Sequence, residues 1–127
     1  SGDGAYECTM RLLTMPDPPT AILAANNIMA LGALQAMNDL GVRCPEDVSL
    51  ASIDDVPWGN VIQPRITMVI QPISEIARIA TGFLLERIDQ RGGPSIAPRE
   101  VILIPKLFVG KSCAPPRGHN SEGSSPH

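Results

Sequence analysis

The stretch "TAILAANNIMALGALQAMNDLGVRCPEDVSLASI", residues 20–53, constrains the fold more than any other part of the chain. It opens on a short apolar run, Thr20 to Ala25, of strand length. Two asparagines interrupt it, and either one suits a helix N-cap. Strong helix formers follow from Ile28 to Leu40, and Gly41 is placed to end them. A connection carrying Pro45 leads to a second apolar run, Val48 to Ile53. A run without polar alternation suits a strand covered on both faces, as in a parallel sheet. Ala30, Gly32, Ala33 and Ala36 are small enough to let the helix approach a neighbour closely. Strand, helix and strand in this order predict a βαβ unit.

The flanking segments extend that pattern. "GAYECTMRLL", Gly4 to Leu13, has near-helical apolar spacing, with Asp3 or Ser1 as its cap. The prolines of "MPDPP" break it before Thr20. Ile66 to Gln71 reads as a third strand. Ile73 to Ile88 reads as an amphipathic helix whose stripe is Ile73, Ile76, Ala77, Ala80, Phe83, Leu84 and Ile88. Arg99 to Val109 reads as a strand interrupted by Pro105. Beyond Gly110 the chain is rich in Pro, Gly and Ser, so 1–109 is expected to fold and 110–127 to be a disordered tail. The sequence therefore predicts an α/β fold, three-layered, with a mostly parallel sheet and flanking helices.

Composition removes several functions. The formal net charge is −3 over 127 residues and basic residues form no cluster, so these residues are poor partners for nucleic acid. No apolar run is long enough for a membrane span, and no basic-then-apolar leader is visible. Cys8, Cys44 and Cys113 are odd in number and lack metal-like spacing, which fits free thiols in a cytoplasmic chain.

Three predicted strands end on polar side chains: Asn26, Asp54 and Gln71. In open α/β sheets, ligands sit beyond the carboxyl ends of the strands. One carboxylate and two amides on a common rim can donate to and accept from hydroxyls in fixed directions. Trp58, the one tryptophan of the chain, is close enough in sequence to offer a stacking face. The set suits a sugar or nucleoside-like ligand. Each residue also has a plainer use. Asn26 or Asn27 caps the helix, Asp54 and Asp55 form an Asx turn, Gln71 closes its strand before Pro72, and Trp58 covers the edge of the core.

Reactive chemistry finds little support. Asp54 and Asp55 have no histidine beside them, since His119 and His127 lie in the tail, so no metal site is expected. Adjacent carboxylates on one strand point opposite ways and cannot flank a glycosidic bond. No cysteine has a histidine base, and "GALQAMNDLG" is no phosphate loop. No catalytic residue and no cofactor is expected.

The blocks "PPTAILAANNIMALGALQAMNDLGVRCPEDVSLASIDDVP", "PRITMVIQPISEIARIATGFLLERI" and "VILIPKLFVGKSCAPP" together resemble the lactose/galactose-repressor family of bacterial transcription regulators, in its C-terminal effector-binding region. The resemblance runs from about Gly4 to Pro116. It implies one lobe of a periplasmic-binding-protein-like fold, with effector contacts at Asn26, Asp54 and Gln71 and a cleft-side loop around Trp58. It implies a homodimer interface at Leu31, Gln35 and Ile62, although Leu31 as ordinary core is an equal reading. It also implies DNA binding only through an N-terminal headpiece outside these residues. The "PEDVS…DD" block favours repressors over periplasmic sugar-binding proteins of transporters, the alternative reading. Two positions depart from the family: Ser52 and Ile53 replace a glycine and an aromatic before the first aspartate, and Gly110 stands where arginine is common. In the family the helix matching Ile73–Ile88 packs on the other lobe. Here its stripe is expected to fold back on its own sheet or to pair with a second chain by swapping.

Overall fold

The computed structural model describes residues 2–55, 61–90, 93 and 97–117. The chain divides into two compact units, Ser1–Ile70 with Leu107–His127, and Gln71–Lys106.

The first unit begins with α1, Gly2–Leu13, then β1, Ala21–Ala24, α2, Asn27–Asp39, β2, Ser49–Ile53, and β3, Thr67–Ile70. Helix α1 starts two residues earlier than the sequence suggests. Asp3 therefore lies in its first turn, where a carboxylate favours the helix dipole. Strands β1, β2 and β3 run parallel, with Ala24 level with Ser52 and Ser52 level with Met68. A short β4, Lys106–Phe108, completes the order β1-β2-β3-β4.

This register places Ile22, Ala24, Leu50, Ser52, Met68 and Ile70 on one face, since side chains alternate along each strand. Ala30 and Ala33 of α2 join Ala24, Leu50, Ile66 and Met68 in the core, with Ile22, Leu34, Ile70 and Phe108 around it. Burying a side chain the size of Leu50 or Ile66 contributes about 1.5–3 kcal/mol. On the opposite face Leu23 is 67% exposed.

Helix α2 fits between its neighbours because it is lined with small residues. Ala30, Gly32, Ala33, Ala36 and Met37 are buried. A Cβ at Gly32 would stand 2.5 Å from the Gly2 carbonyl oxygen, so only glycine lets α1 come this close. Asn26 caps the start, and Gly41, at φ +67°, follows the C-cap Leu40 in the left-handed conformation that ends many helices.

Two expectations are corrected at the C-terminal end. The strand expected over Arg99–Val109 is confined to Lys106–Phe108, directly after Pro105, which has no N–H to give to a ladder. The disorder expected beyond Gly110 does not hold for residues 110–117; residues 118–127 lie outside the described residues. The Gly110 N–H donates to Thr67 Oγ1 (3.0 Å) and the Lys111 N–H to the Arg65 carbonyl (2.8 Å). Ser112, wholly buried, accepts the Thr67 N–H at its hydroxyl (2.8 Å) and donates that hydroxyl to the Leu50 carbonyl. Ser49 and Ala114 exchange two further bonds of 3.0 and 3.1 Å. The segment thus serves the N-terminal ends of both β2 and β3. Polar composition suggested a loose tail, but the polar atoms here satisfy buried backbone groups.

Gly110 is closed to any side chain. A Cβ there would lie 2.2 Å from the Arg65 carbonyl oxygen, which accounts for glycine where the resemblance leads one to expect arginine. Further on, Arg117 donates Nε–H to the Glu46 carbonyl (2.9 Å) and pairs with Asp47, which also holds Arg43 at 3.0 Å.

The second unit contains α3, Ile73–Asp89. None of its residues is buried, and Ile73, Ile76, Leu84, Leu85 and Ile88 are all exposed. Within the unit, the Arg99 guanidinium lies 4.1 Å from the centre of the Phe83 ring and pairs with Glu86. Arg99, Val101 and Leu103 border a groove of about 460 Å³ beside Ile76, Ile79, Ala80 and Phe83.

Candidate functional site

The carboxyl ends of β1 and β2 lie at one edge of the first unit's sheet, because the two strands are parallel and in register. Asn26 stands two residues past Ala24, and Asp54 two residues past its partner Ser52. Two of the three positions that sequence reasoning placed on a common rim, Asn26 and Asp54, thus follow strand ends that lie at the same edge.

Asn26 has extended backbone, and its Oδ1 accepts the Met29 N–H at 2.9 Å. The plainer reading, helix cap, is thus realised at Asn26. The cap engages the acceptor half of the amide; the NH₂ half is the part suited to a hydroxyl oxygen. Asn26 also borders a hollow of about 270 Å³ with Gly4, Ala5, Cys8, Ile28 and Met29. Asn27 does something else: its Nδ2 donates to the Asp55 carbonyl at 3.1 Å, linking the start of α2 to the loop leaving β2.

Asp54 is half-buried and has φ +73°, the one non-glycine residue at positive φ among those described. Its N–H donates to the Val69 carbonyl at 2.9 Å, extending the β2–β3 ladder by one bond past the strand. The chain then turns away in a left-handed conformation that aspartate tolerates better than most residues.

Gln71 opens the second unit. It is exposed, and its carbonyl accepts the Ile73 N–H at 2.9 Å. Trp58 lies outside the described residues. Of the residues matched to a dimer interface, Leu31 is 45% exposed, which decides against ordinary core. Gln35 is exposed and Ile62 half-buried. Leu31 and Gln35 share a hollow of about 650 Å³ with Gly2, Asp3, Tyr6, Glu7, Ile28 and Gly32. At its side the Tyr6 hydroxyl donates to Asp39 at 2.9 Å; that bond, then burial, raises the phenol's pKa.

Among the described residues no group of three or more His, Cys, Asp or Glu is arranged to hold a metal, and no helix is long and apolar enough to cross a membrane. Burial pushes the Cys44 thiol up to about 11, which makes it a weak nucleophile. Sequence reasoning missed two features of this unit. One is the Asn27 bridge, which an "NN" pair leaves unassigned between its members. The other is Ser112, whose burial has no periodic signature in "GKSCAPP".

Comparison with known proteins identifies the family and the fold. The family described as periplasmic binding protein-like domain matches residues 1–113. The HTH-type transcriptional repressor PurR of Haemophilus influenzae (strain PittEE) is 36% identical over 110 residues, covering 87% of this chain and 33% of the repressor. The chain thus spans about a third of the length of the curated relatives it matches. A LacI family transcriptional regulator from Enterococcus faecium, solved with bound ribose, superposes with a TM-score of 0.77 at 30% identity, covering 91% of this chain and 41% of that one. A putative LacI-family regulator from Sanguibacter keddieii gives a TM-score of 0.81 at 35% identity, covering 88% and 41%. Parallel strands, helix order and sequence match agree: the chain belongs to the periplasmic binding protein-like domain family, in the form found in lactose/galactose-repressor-type regulators.

Proposed function

We propose that this chain is the effector-sensing and dimerising portion of a bacterial transcriptional repressor. It acts in the cytoplasm, is not an enzyme, and reaches DNA only through a headpiece outside these residues. Its effector is a small sugar or nucleoside-like molecule. The observation that carries the reading is the common carboxyl edge of the parallel strands β1 and β2, from which the segments bearing Asn26 and Asp54 emerge. A carboxylate accepting from a ligand hydroxyl forms a charge-assisted bond, and the neighbouring amide fixes the ligand's orientation. Gln71 and Trp58 complete the proposed contact set, and Leu31, Gln35 and Ile62 the proposed homodimer surface. Relatives named as repressors, and a structural neighbour solved with ribose, support this reading over a transporter's periplasmic binding protein.

The effector does its work by differential affinity. A ligand that prefers one arrangement of the two lobes shifts the protein toward it, by no more than that preference. The test is calorimetry on the full-length gene product with D-ribose, lactose and inosine. One of them should bind, and Asp54→Ala should weaken that binding at least 100-fold while leaving the thermal transition cooperative. Unchanged affinity removes Asp54 from the site. A headpiece encoded upstream of Ser1 is expected; a secretion signal there would instead favour the periplasmic reading.

A further inference from the structure

Asp54 adopts a conformation that most non-glycine residues avoid, and the structure shows what borders it on either side. Before it, the Asp54 N–H is held by the Val69 carbonyl at 2.9 Å. After it, the Asp55 carbonyl is held by Asn27 Nδ2 at 3.1 Å. The residue after the positive φ is therefore tied at its carbonyl oxygen to a different element, the first residue of α2. Two consecutive amides divide two tasks. Asn26 fixes where α2 begins, and Asn27 reaches across to the exit of the neighbouring strand. Both ends of that reach lie on the edge where the ligand is proposed to sit.

We infer that Asn27 is a positioning residue: it holds the carbonyl of Asp55, the residue after the turn, so that the Asp54 carboxylate is presented to the effector before the effector arrives. This rests on the reading of Asp54 as an effector-binding group. Affinity gained in this way comes from lowering the cost of ordering the loop and not from a contact with the ligand. Asn27 bonds to Asp55, so the effect on binding that the inference requires is one that passes through the Asp54–Asp55 turn.

Two measurements test it. Amide hydrogen exchange on the 127-residue chain compares wild type with Asn27→Ala and with Asn27→Asp. The second variant is isosteric and well suited to a helix N-terminus, yet has no N–H to donate, so it separates the bond from helix stability. In both variants the Asp54 amide should exchange at least tenfold faster, with the Leu50 and Ala51 amides unchanged. An unaltered Asp54 rate in both variants overturns the inference whatever the ligand does. Calorimetry on the full-length gene product, with whichever of D-ribose, lactose or inosine binds, then compares Asn27→Asp, Asp54→Asn and the double variant. Asn27→Asp should weaken binding about tenfold in the wild-type background and not at all in the Asp54→Asn background. Equal losses in both backgrounds show Asn27 acting independently of Asp54 and overturn the inference. If none of the three probes binds wild type, the proposed ligand class fails, and the exchange rates alone decide the clamp.

Discussion

Asp54 concentrates two demands in one residue. Its backbone asks for glycine and its proposed chemistry asks for a carboxylate. At φ +73° a Cβ crowds the following carbonyl, and glycine alone escapes that cost. Asp54→Gly should therefore be more stable than Asp54→Ala by about 1 kcal/mol in urea denaturation. An alanine variant as stable as the glycine variant removes the strain argument. Ser112 has the opposite character, since its whole value is structural. Its hydroxyl sits between the Thr67 N–H and the Leu50 carbonyl in a fully buried place. Ser112→Ala leaves both groups without that partner and should cost about 1–3 kcal/mol, read from the urea midpoint. The sequence made Asp54 legible because a doubled aspartate ends an apolar run. It did not make Ser112 legible, because a buried serine bonding backbone groups on distant strands leaves no local pattern.

At the scale of elements, the strand–helix–strand core was readable because periodicity and caps agree there. Asn26, Gly41 and the run of small residues along α2 all point to one helix in one place. Boundaries moved by a residue or two, as helix and strand ends do. The return of residues 110–117 was not readable, since prolines and polar residues also describe loose chain. Its anchorage has two measurable consequences. Gly110→Ala should destabilise by about 3 kcal/mol, because the added methyl meets backbone at Arg65 and backbone has little room to yield. The second consequence is pH dependence at the far end of the segment. Side-chain hydrogen bonds from Arg43, then a bond from its backbone N–H, hold the Asp47 carboxyl well down, to about 2. A depressed folded pKa means a contribution complete above the ordinary 3.8 and lost as pH falls through about 2. Between pH 4 and pH 2 the urea midpoint of the wild type should fall more steeply than that of Asp47→Asn. Parallel slopes would show that the Arg43–Asp47–Arg117 cluster adds nothing to stability.

At the scale of the whole molecule, α3 is the helix with no buried residue. Ile73, Ile76, Leu84, Leu85 and Ile88 are exposed together on one helix, and groups of large apolar side chains of this kind mark association surfaces. Sedimentation of the isolated chain should show self-association, and Ile76→Lys should weaken it. A clean monomer at high concentration would remove the second-chain pairing. The stripe was visible in the sequence through its helical spacing, but its partner was not, because periodicity reports which face is apolar and not what covers it.

The stitching of Ser112 to strands about 45 and 62 residues before it also sets an order in time. A ribosome delivers β2 and β3 long before it delivers the hydroxyl that satisfies their lower ends. Until residue 112 has cleared the exit tunnel, the nascent sheet carries an open seam, and its assembly can finish only near the end of translation of this segment.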